Sequence, residues 1–286
     1  MTEARDLTDG ERWTLAELQR LRADGWRPRA LRDFLWASQI RANHTRRLRP
    51  ALVRQELAWI SIGVAAWLGA GHLPAESSIA RSRRQGLIWW AACSLMLDWH
   101  LGMLETPEGQ AVALGAADAL TLVRAWLVPA VAVRDDPVLV VIGGLTDAID
   151  GLVARSTRRT RFGAQFDGLV DACFAAAALR GAVSAGGVSP AVVLIERVRL
   201  TVGAVYVASE YRAAGRHPDE RLRASGRSAA PVRIAGLLAA GLRRRRCADR
   251  LIVAAASISV ARALGSVSRW PVRCRGSAPR RPRQVS

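Results

Sequence analysis

The chain alternates between polar segments and long apolar runs. The first 56 residues are mostly polar and have helical periodicity, with two amphipathic stretches, TLAELQRLRADGW and RALRDFLWASQIRAN, separated at Gly25 and Pro28. Beyond them the apolar runs approach the roughly 20 residues that cross a bilayer as an α-helix. The pattern predicts an all-α protein: a polytopic membrane helix bundle preceded by an N-terminal helical extension.

Eight apolar runs follow residue 56, although the seventh is short and the sixth contains charged residues. Together they predict four segments: a cytoplasmic amphipathic region at 1–56, an additional membrane hairpin at 57–110, a six-helix core at 111–267 and a basic, disordered tail at 268–286. The runs are 57–73, 87–104, 111–133, 137–153, 164–183, 188–208, 229–242 and 251–267.

Composition and charge support a membrane protein. Half of the 286 residues are hydrophobic, yet the formal net charge is +18, and all 42 basic residues are arginine. No basic recognition fold accompanies this charge, so we expect no nucleic-acid partner. Arginines concentrate in 1–56, 154–162 and 209–227, which predicts that these segments face the cytoplasm. The arginines at 81–86 and 243–250 would then lie outside, so either the first hairpin and the short seventh run do not fully span or the charge rule is broken there.

Four aspartates interrupt the apolar segment LTDAIDGLVARSTRRTRFGAQFDGLVDACF. Asp147 and Asp150 are three residues apart, and Asp167 and Asp171 are four apart, so on helices each pair shares one face. A short link joins the two helices, and we expect them to be antiparallel neighbours whose four carboxylates converge. Their mutual repulsion predicts a hard divalent cation, Mg²⁺ or Mn²⁺. Four carboxylates can hold two ions about 3.5 to 4 Å apart, as in paired-metal phosphoryl transfer.

The residues between the two acidic pairs favour a phosphate-containing substrate. Gly151 and Ala154 give the first helix a smooth face on which a base or ribose can lie, and Arg155 supplies a forked donor for phosphate oxygens. Gly163 leaves space above Asp167.

The segment DAIDGLVARSTRRTRFGAQFDGLVD resembles the signature of the CDP-alcohol phosphatidyltransferases, D-x-x-D-G-x-x-A-R, a spacer, then G-x-x-x-D-x-x-x-D. All eight fixed residues are present. The spacer has seven residues, 156–162, where eight are usual. The matching residues are Asp147, Asp150, Gly151, Ala154, Arg155, Gly163, Asp167 and Asp171.

A second stretch, ADALTLVRAWLVP, is similar to the first core helix of the same family, N-x-x-T-x-x-R-x-x-x-x-P. Thr121, Arg124 and Pro129 match, whereas Asp118 replaces the usual Asn and adds a fifth carboxylate. The resemblance covers about 111–267 and is to a bacterial, actinobacterial-type member with an N-terminal extension.

The resemblance implies that an acceptor alcohol attacks the β-phosphorus of a CDP-linked lipid donor and displaces CMP. Asp147, Asp150 and Asp167 would bind two Mg²⁺ or Mn²⁺ ions, and Asp171 would be the catalytic base and a further metal ligand. The donor side would comprise Asp118, Thr121, Arg124, Gly151, Ala154, Arg155 and Gly163.

The resemblance also bears on location and assembly. It implies an integral protein of the bacterial cytoplasmic membrane that acts in phospholipid biosynthesis, with its site facing the cytoplasm and membrane lipids as partners. A homodimer is compatible with it.

Two arginines lie inside the sixth apolar run, VVLIERVRLTVGAV. Arg197 or Arg199 could face the cavity and bind an acceptor phosphate, or the charges could pair within the helix with Glu196 near a displaced membrane boundary. Both interpretations stay open at this stage.

Two other functions fit part of the pattern. A non-enzymatic membrane protein, such as a divalent-cation transporter, could use the same acids as an ion path. The shortened spacer is also compatible with a degenerate, inactive family member.

Overall fold

The chain folds into α-helices. The computed structural model describes residues 8–106, 108–156, 161–214 and 220–268, and this part contains ten α-helices and no strand, only an isolated β-bridge between Glu105 and Ala111. The all-α prediction is therefore confirmed. The helices are α1 Asp9–Ala23, α2 Pro28–Leu48, α3 Pro50–Gly69, α4 Ser78–His100, α5 Ala116–Val133, α6 Pro137–Ser156, α7 Arg161–Ser184, α8 Pro190–Ala214, α9 Glu220–Gly241 and α10 Arg245–Ser268.

Local sequence explains where the first helices begin and end. Thr8 and Glu11 form a reciprocal capping box at the start of α1. The chain then turns through Gly25, which has a φ of 66°, and Pro28 begins α2 where its missing N–H costs nothing. Pro50 begins α3 in the same way, so the predicted boundary between residues 56 and 57 lies within a helix.

Each predicted apolar run lies largely on one of the helices α3 to α10, yet few of these helices have the composition of a membrane span. Among the described residues only α5, Ala116–Val133, is both long and apolar enough to cross a bilayer, and 56% of it is buried inside the protein. Shorter apolar helical segments occur at Pro137–Ile149 and Ala229–Gly241. Charged residues such as Asp147 in α6 and Glu196 in α8 interrupt other apolar helices.

Helix α5 lies between α6 and α7 in the bundle. Both helices pack extensively on α5 and contact each other only slightly, so α6 and α7 are not the direct neighbours that the short link predicts. The contact between α5 and α7 is close because Gly181 has no side chain: a Cβ there would lie 2.2 Å from the carbonyl oxygen of Val131. The acids of α6 and α7 therefore meet across a face of α5.

The N-terminal helices are docked on the bundle by buried polar contacts. The Arg46 side chain donates to the Asp98 carboxylate at 2.8 Å, and Arg49 donates to the carbonyl oxygen of Leu104 at 3.2 Å. The Arg41 guanidinium lies 4.8 Å from the ring centroid of Trp13, within cation–π range. The extension is thus part of the folded structure.

Asp135, in the turn between α5 and α6, is buried, and no described group donates a hydrogen bond to its carboxylate. Its side chain is 8% exposed, and neither carboxylate oxygen has a hydrogen-bond partner in the described part of the chain. Burial, with repulsion from Asp136, raises the pKa of Asp135 to about 6. The folded protein therefore binds this proton more tightly than the unfolded chain does.

We expect Asp135→Asn to stabilise the protein at pH 7.5 by about 1 to 2 kcal/mol. Because the folded-state pKa of Asp135 is raised, its contribution to the stability of the wild type is fully present below about pH 4. That contribution is lost as the pH rises to about 6. Thermal unfolding at pH 7.5 and pH 4 measures the effect. A stabilisation of equal size at both pH values would contradict the assignment.

Candidate active site

Arg124 is the centre of a charged cluster formed by α5, α6 and α7. Its side chain is 1% exposed, and Nη1 lies 2.9 Å from Oδ1 of Asp167 and 3.7 Å from Oδ1 of Asp147. The same nitrogen donates a hydrogen bond to Oδ1 of Asp171. One guanidinium thus joins carboxylates from two helices.

The three carboxylates form a group that can hold a metal ion. One oxygen each of Asp147, Asp167 and Asp171 lies within 4.8 Å of the others. Oxygens on opposite sides of an octahedral Mg²⁺ are about 4 Å apart, so a small inward movement of the carboxylates would bring their oxygens to coordination distance. An all-carboxylate donor set suits a hard cation, and the position of the Arg124 guanidinium shows that a positive charge fits among these oxygens. The residues present therefore fit a metal.

Electrostatic repulsion explains why a cation would stabilise the cluster. Two carboxylates 4.8 Å apart repel by about 3 kcal/mol at an effective dielectric constant of 20. Arg124 offsets part of this repulsion, and a divalent cation would offset more of it. The side chains of Asp147 and Asp171 are each 32% exposed, so the site is accessible from outside although Arg124 is not.

Thr146 is a member of the site that sequence reasoning missed. Its hydroxyl donates to the carbonyl oxygen of Gly143 at 2.8 Å and accepts a bond from Nε of Arg124 at 3.4 Å. It thereby orients the guanidinium toward the acids. Its place directly before the first motif aspartate is the one sequence signal that could have identified it.

The first turns of α5 are held by local hydrogen bonds. Asp118 accepts a bond from the backbone N–H of Gly115 at 2.8 Å, which caps the helix, and lies within electrostatic range of Asp167. The Thr121 hydroxyl donates to the carbonyl oxygen of Ala117 at 3.2 Å. Both side chains are buried on the helix that carries Arg124, so the structure brings these predicted residues to the same region.

The remaining motif residues lie on the same two helices. Gly163 is half-buried in the first turn of α7. The side chains of Asp150, Gly151, Ala154 and Arg155 are outside the described residues, although their backbone belongs to α6. The inter-helix link at 157–160 and the predicted tail beyond residue 268 are outside them as well.

The two predicted acceptor-phosphate arginines have different surroundings. Arg199 donates to Glu196 at 2.7 Å, and Glu196, 2% exposed, also accepts a bond from Arg233 at 3.4 Å. Arg197 instead lines a separate cavity beside Val183. Val183 is twelve residues from Asp171, about 18 Å along α7. The structure therefore does not bring Arg197 to the aspartates.

Comparison with known proteins agrees with this architecture. Residues 114–240 match the family model described as CDP-alcohol phosphatidyltransferase. The protein carries a CDP-alcohol phosphatidyltransferase domain. The comparison with curated proteins and the comparison with solved structures both gave no match. The CDP-alcohol phosphatidyltransferase domain contains α5 to α8, nearly all of α9 and the acidic cluster; α1 to α4 form an extension before it, and α10 follows the matched residues.

Proposed function

We propose that the protein is an integral membrane transferase that moves a phosphatidyl or related phospho-alcohol group from a CDP-linked donor to an acceptor alcohol. The observation that carries this proposal is the convergence of Asp147, Asp167 and Asp171 around Arg124 within the matched domain. Domain membership supports phospho-alcohol transfer in general, and the cluster supplies a place where a phosphate and its cations can meet.

The proposed site divides into ligands for metal and contacts for the donor. Asp147, Asp150, Asp167 and Asp171 would hold two Mg²⁺ or Mn²⁺ ions, which when bound neutralise the donor diphosphate and stabilise the departing CMP. On the donor side we place the buried Asp118, Thr121 and Arg124 of α5, together with four residues of the motif. These four are Gly151, Ala154, Arg155 and Gly163.

Arg124 would serve two partners. In the metal-free arrangement its guanidinium neutralises the acids of α6 and α7. With cations on the acids, its forked donors would be able to bind phosphate oxygens of the donor. Thr146 would hold the guanidinium at the boundary between acids and donor.

Asp171 is the proposed base. Its Oδ1 accepts a bond from Arg124, while in the described structure Oδ2 accepts none and the side chain is partly exposed. In the reaction, the acceptor oxygen would form a bond to the β-phosphorus of the donor while the bond from that phosphorus to the CMP oxygen breaks. The hydroxyl proton would pass to Asp171, and the products are a phosphodiester and CMP.

The proposed location is the bacterial cytoplasmic membrane, with the acids facing the cytoplasm. One helix of the domain, α5, has the length and composition of a span. Outward-facing apolar side chains on α8, such as Leu194, Val198 and Val202, suit contact with lipid. The six helices α5 to α10 would form the core of the enzyme, possible acceptors include polyols and polyol phosphates, and a homodimer is compatible with this arrangement.

The decisive experiment is a CMP-release assay on the purified full chain with a CDP-diacylglycerol donor. We expect CMP release that depends on both Mg²⁺ or Mn²⁺ and one acceptor from a panel of glycerol phosphate, inositol phosphate, serine and a second lipid, and we expect EDTA to abolish it. A cation transporter would release no CMP with any acceptor. Restoration of activity by one residue inserted into the 156–162 link would instead identify a degenerate family member.

A further inference from the structure

A cavity lies at the end of the bundle opposite the aspartates. Its volume is about 480 Å³, and it is situated where α7 ends and where α8 and α10 begin. Its walls are mainly apolar, formed by Val183, Val188, Val193 and Leu194. Leu194 is 64% exposed, so the cavity is open to the outside of the bundle. A volume of this size is in the range of small-molecule and lipid sites.

Two unpaired guanidiniums line this apolar cavity. Arg197 and Arg245 both contribute to its wall, and in the described part of the chain neither takes part in a hydrogen bond or an ion pair. Arg197 is seven residues into α8, about 10 Å from the start of the helix. Its neighbours Leu194 and Val198 are exposed and apolar. Both arginines are exposed, so their guanidiniums can meet an anion from outside the bundle. At a lipid-facing apolar surface, an anionic partner stabilises such a charge.

We propose that this cavity binds an anionic phospholipid, with its phosphate between Arg197 and Arg245 and an acyl chain against the valines and Leu194. Charge complementarity selects the headgroup, since two forked donors match the oxygens of a phosphodiester. The apolar wall selects the acyl chain, since a free phosphate ion would leave that surface without a partner. Both halves of the cavity are then matched by one molecule.

The lipid site is separate from the proposed reaction centre. Val183 and Asp171 are about 18 Å apart along α7, and the lipid contacts none of the residues placed in the transfer step. The proposal needs no turnover, so it can fail or succeed independently of the transferase function. In this proposal Arg197 binds the phosphate of a membrane lipid, whereas its sequence position suggests that it binds the phosphate of the acceptor.

Native mass spectrometry of the delipidated full chain in dodecylmaltoside tests the proposal. With dioleoylphosphatidylglycerol and dioleoylphosphatidylcholine added at equal concentration, we expect the wild type to retain the anionic lipid about tenfold more than the zwitterionic one. The double variant Arg197→Gln/Arg245→Gln should lose this preference. The matched control Arg84→Gln/Arg246→Gln removes the same charge from exposed arginines outside the cavity and should keep it.

A second variant distinguishes loss of the lipid site from misfolding of the double arginine variant. Val193→Trp fills the apolar wall and leaves both arginines in place, and it should also reduce retention of dioleoylphosphatidylglycerol. Glycerol 3-phosphate in excess should not displace the lipid. Equal loss in the control variant, displacement by glycerol 3-phosphate, or no preference for the anionic lipid in the wild type would each overturn the proposal. CMP release measured in parallel reports separately on the transferase function.

Discussion

Asp171→Asn is expected to lower CMP release by two to four orders of magnitude, because the amide cannot accept the proton of the acceptor hydroxyl. The substitution keeps the size of the side chain and leaves Asp147 and Asp167 in place. Binding of the donor nucleotide should therefore change much less than turnover. Steady-state CMP release, together with thermal protection by CDP, measures the two quantities separately.

The control for this experiment is Asp33→Asn, which removes a carboxylate from the exposed surface of α2. It should leave both turnover and CDP protection unchanged. Turnover of Asp171→Asn within a few-fold of the wild type would remove Asp171 from the role of base. Loss of CDP protection together with turnover would instead identify Asp171 mainly as a metal ligand.

Arg124→Gln is expected to make the stability of the protein strongly dependent on a divalent cation. Without the guanidinium, the three acids lose the cationic side chain that bridges them, and removal of one partner of a buried ion pair is costly. In EDTA we expect the apparent melting temperature to fall by about 5 to 10 °C. Added Mn²⁺ should raise it by more than in the wild type, because the ion no longer competes with the guanidinium.

Arg199→Gln provides the matched comparison. It also removes a partly buried guanidinium from an ion pair, but one with Glu196 and away from the metal-binding group. We expect its melting temperature to respond to Mn²⁺ as the wild type does. An equal response of wild type and Arg124→Gln to Mn²⁺ would contradict the view that Arg124 and the metal share the same carboxylates. Both experiments use stability as the readout and need no active enzyme.

Much of the helical pattern was predictable from local sequence. Each apolar run lies largely on one helix, because a run of apolar residues without a breaker favours a helix, and Pro28, where the pattern separates two amphipathic stretches, begins α2. The number of membrane spans was not predictable in this way. The apolar runs left the number of crossings open, and in the described part of the chain α5 is the one helix that keeps a sufficiently apolar window, since Asp147 and Glu196 interrupt α6 and α8.

The acids of the candidate site were predictable from the sequence, whereas the pairing of Arg124 with them was not. Helical spacing placed Asp167 and Asp171 on one face of α7, and the structure brings Asp147 to the same place. Arg124 was assigned to the donor, yet in the structure it pairs with the acids. Thr146 was missed because its role depends on the contact between α5 and α6, which no spacing within α6 reveals.

The sequence by itself determined the helical class, the positions of the helices and the place of Asp167 and Asp171 on one helix face, because periodicity and spacing act within one helix. Only the tertiary structure decided that α5 lies between α6 and α7, that Arg124 pairs with their acids, and that Arg197 lines a cavity away from Asp171. Those outcomes depend on which helices pack together. Packing is governed by close approaches such as that of Gly181 to Val131, which join residues distant in the chain.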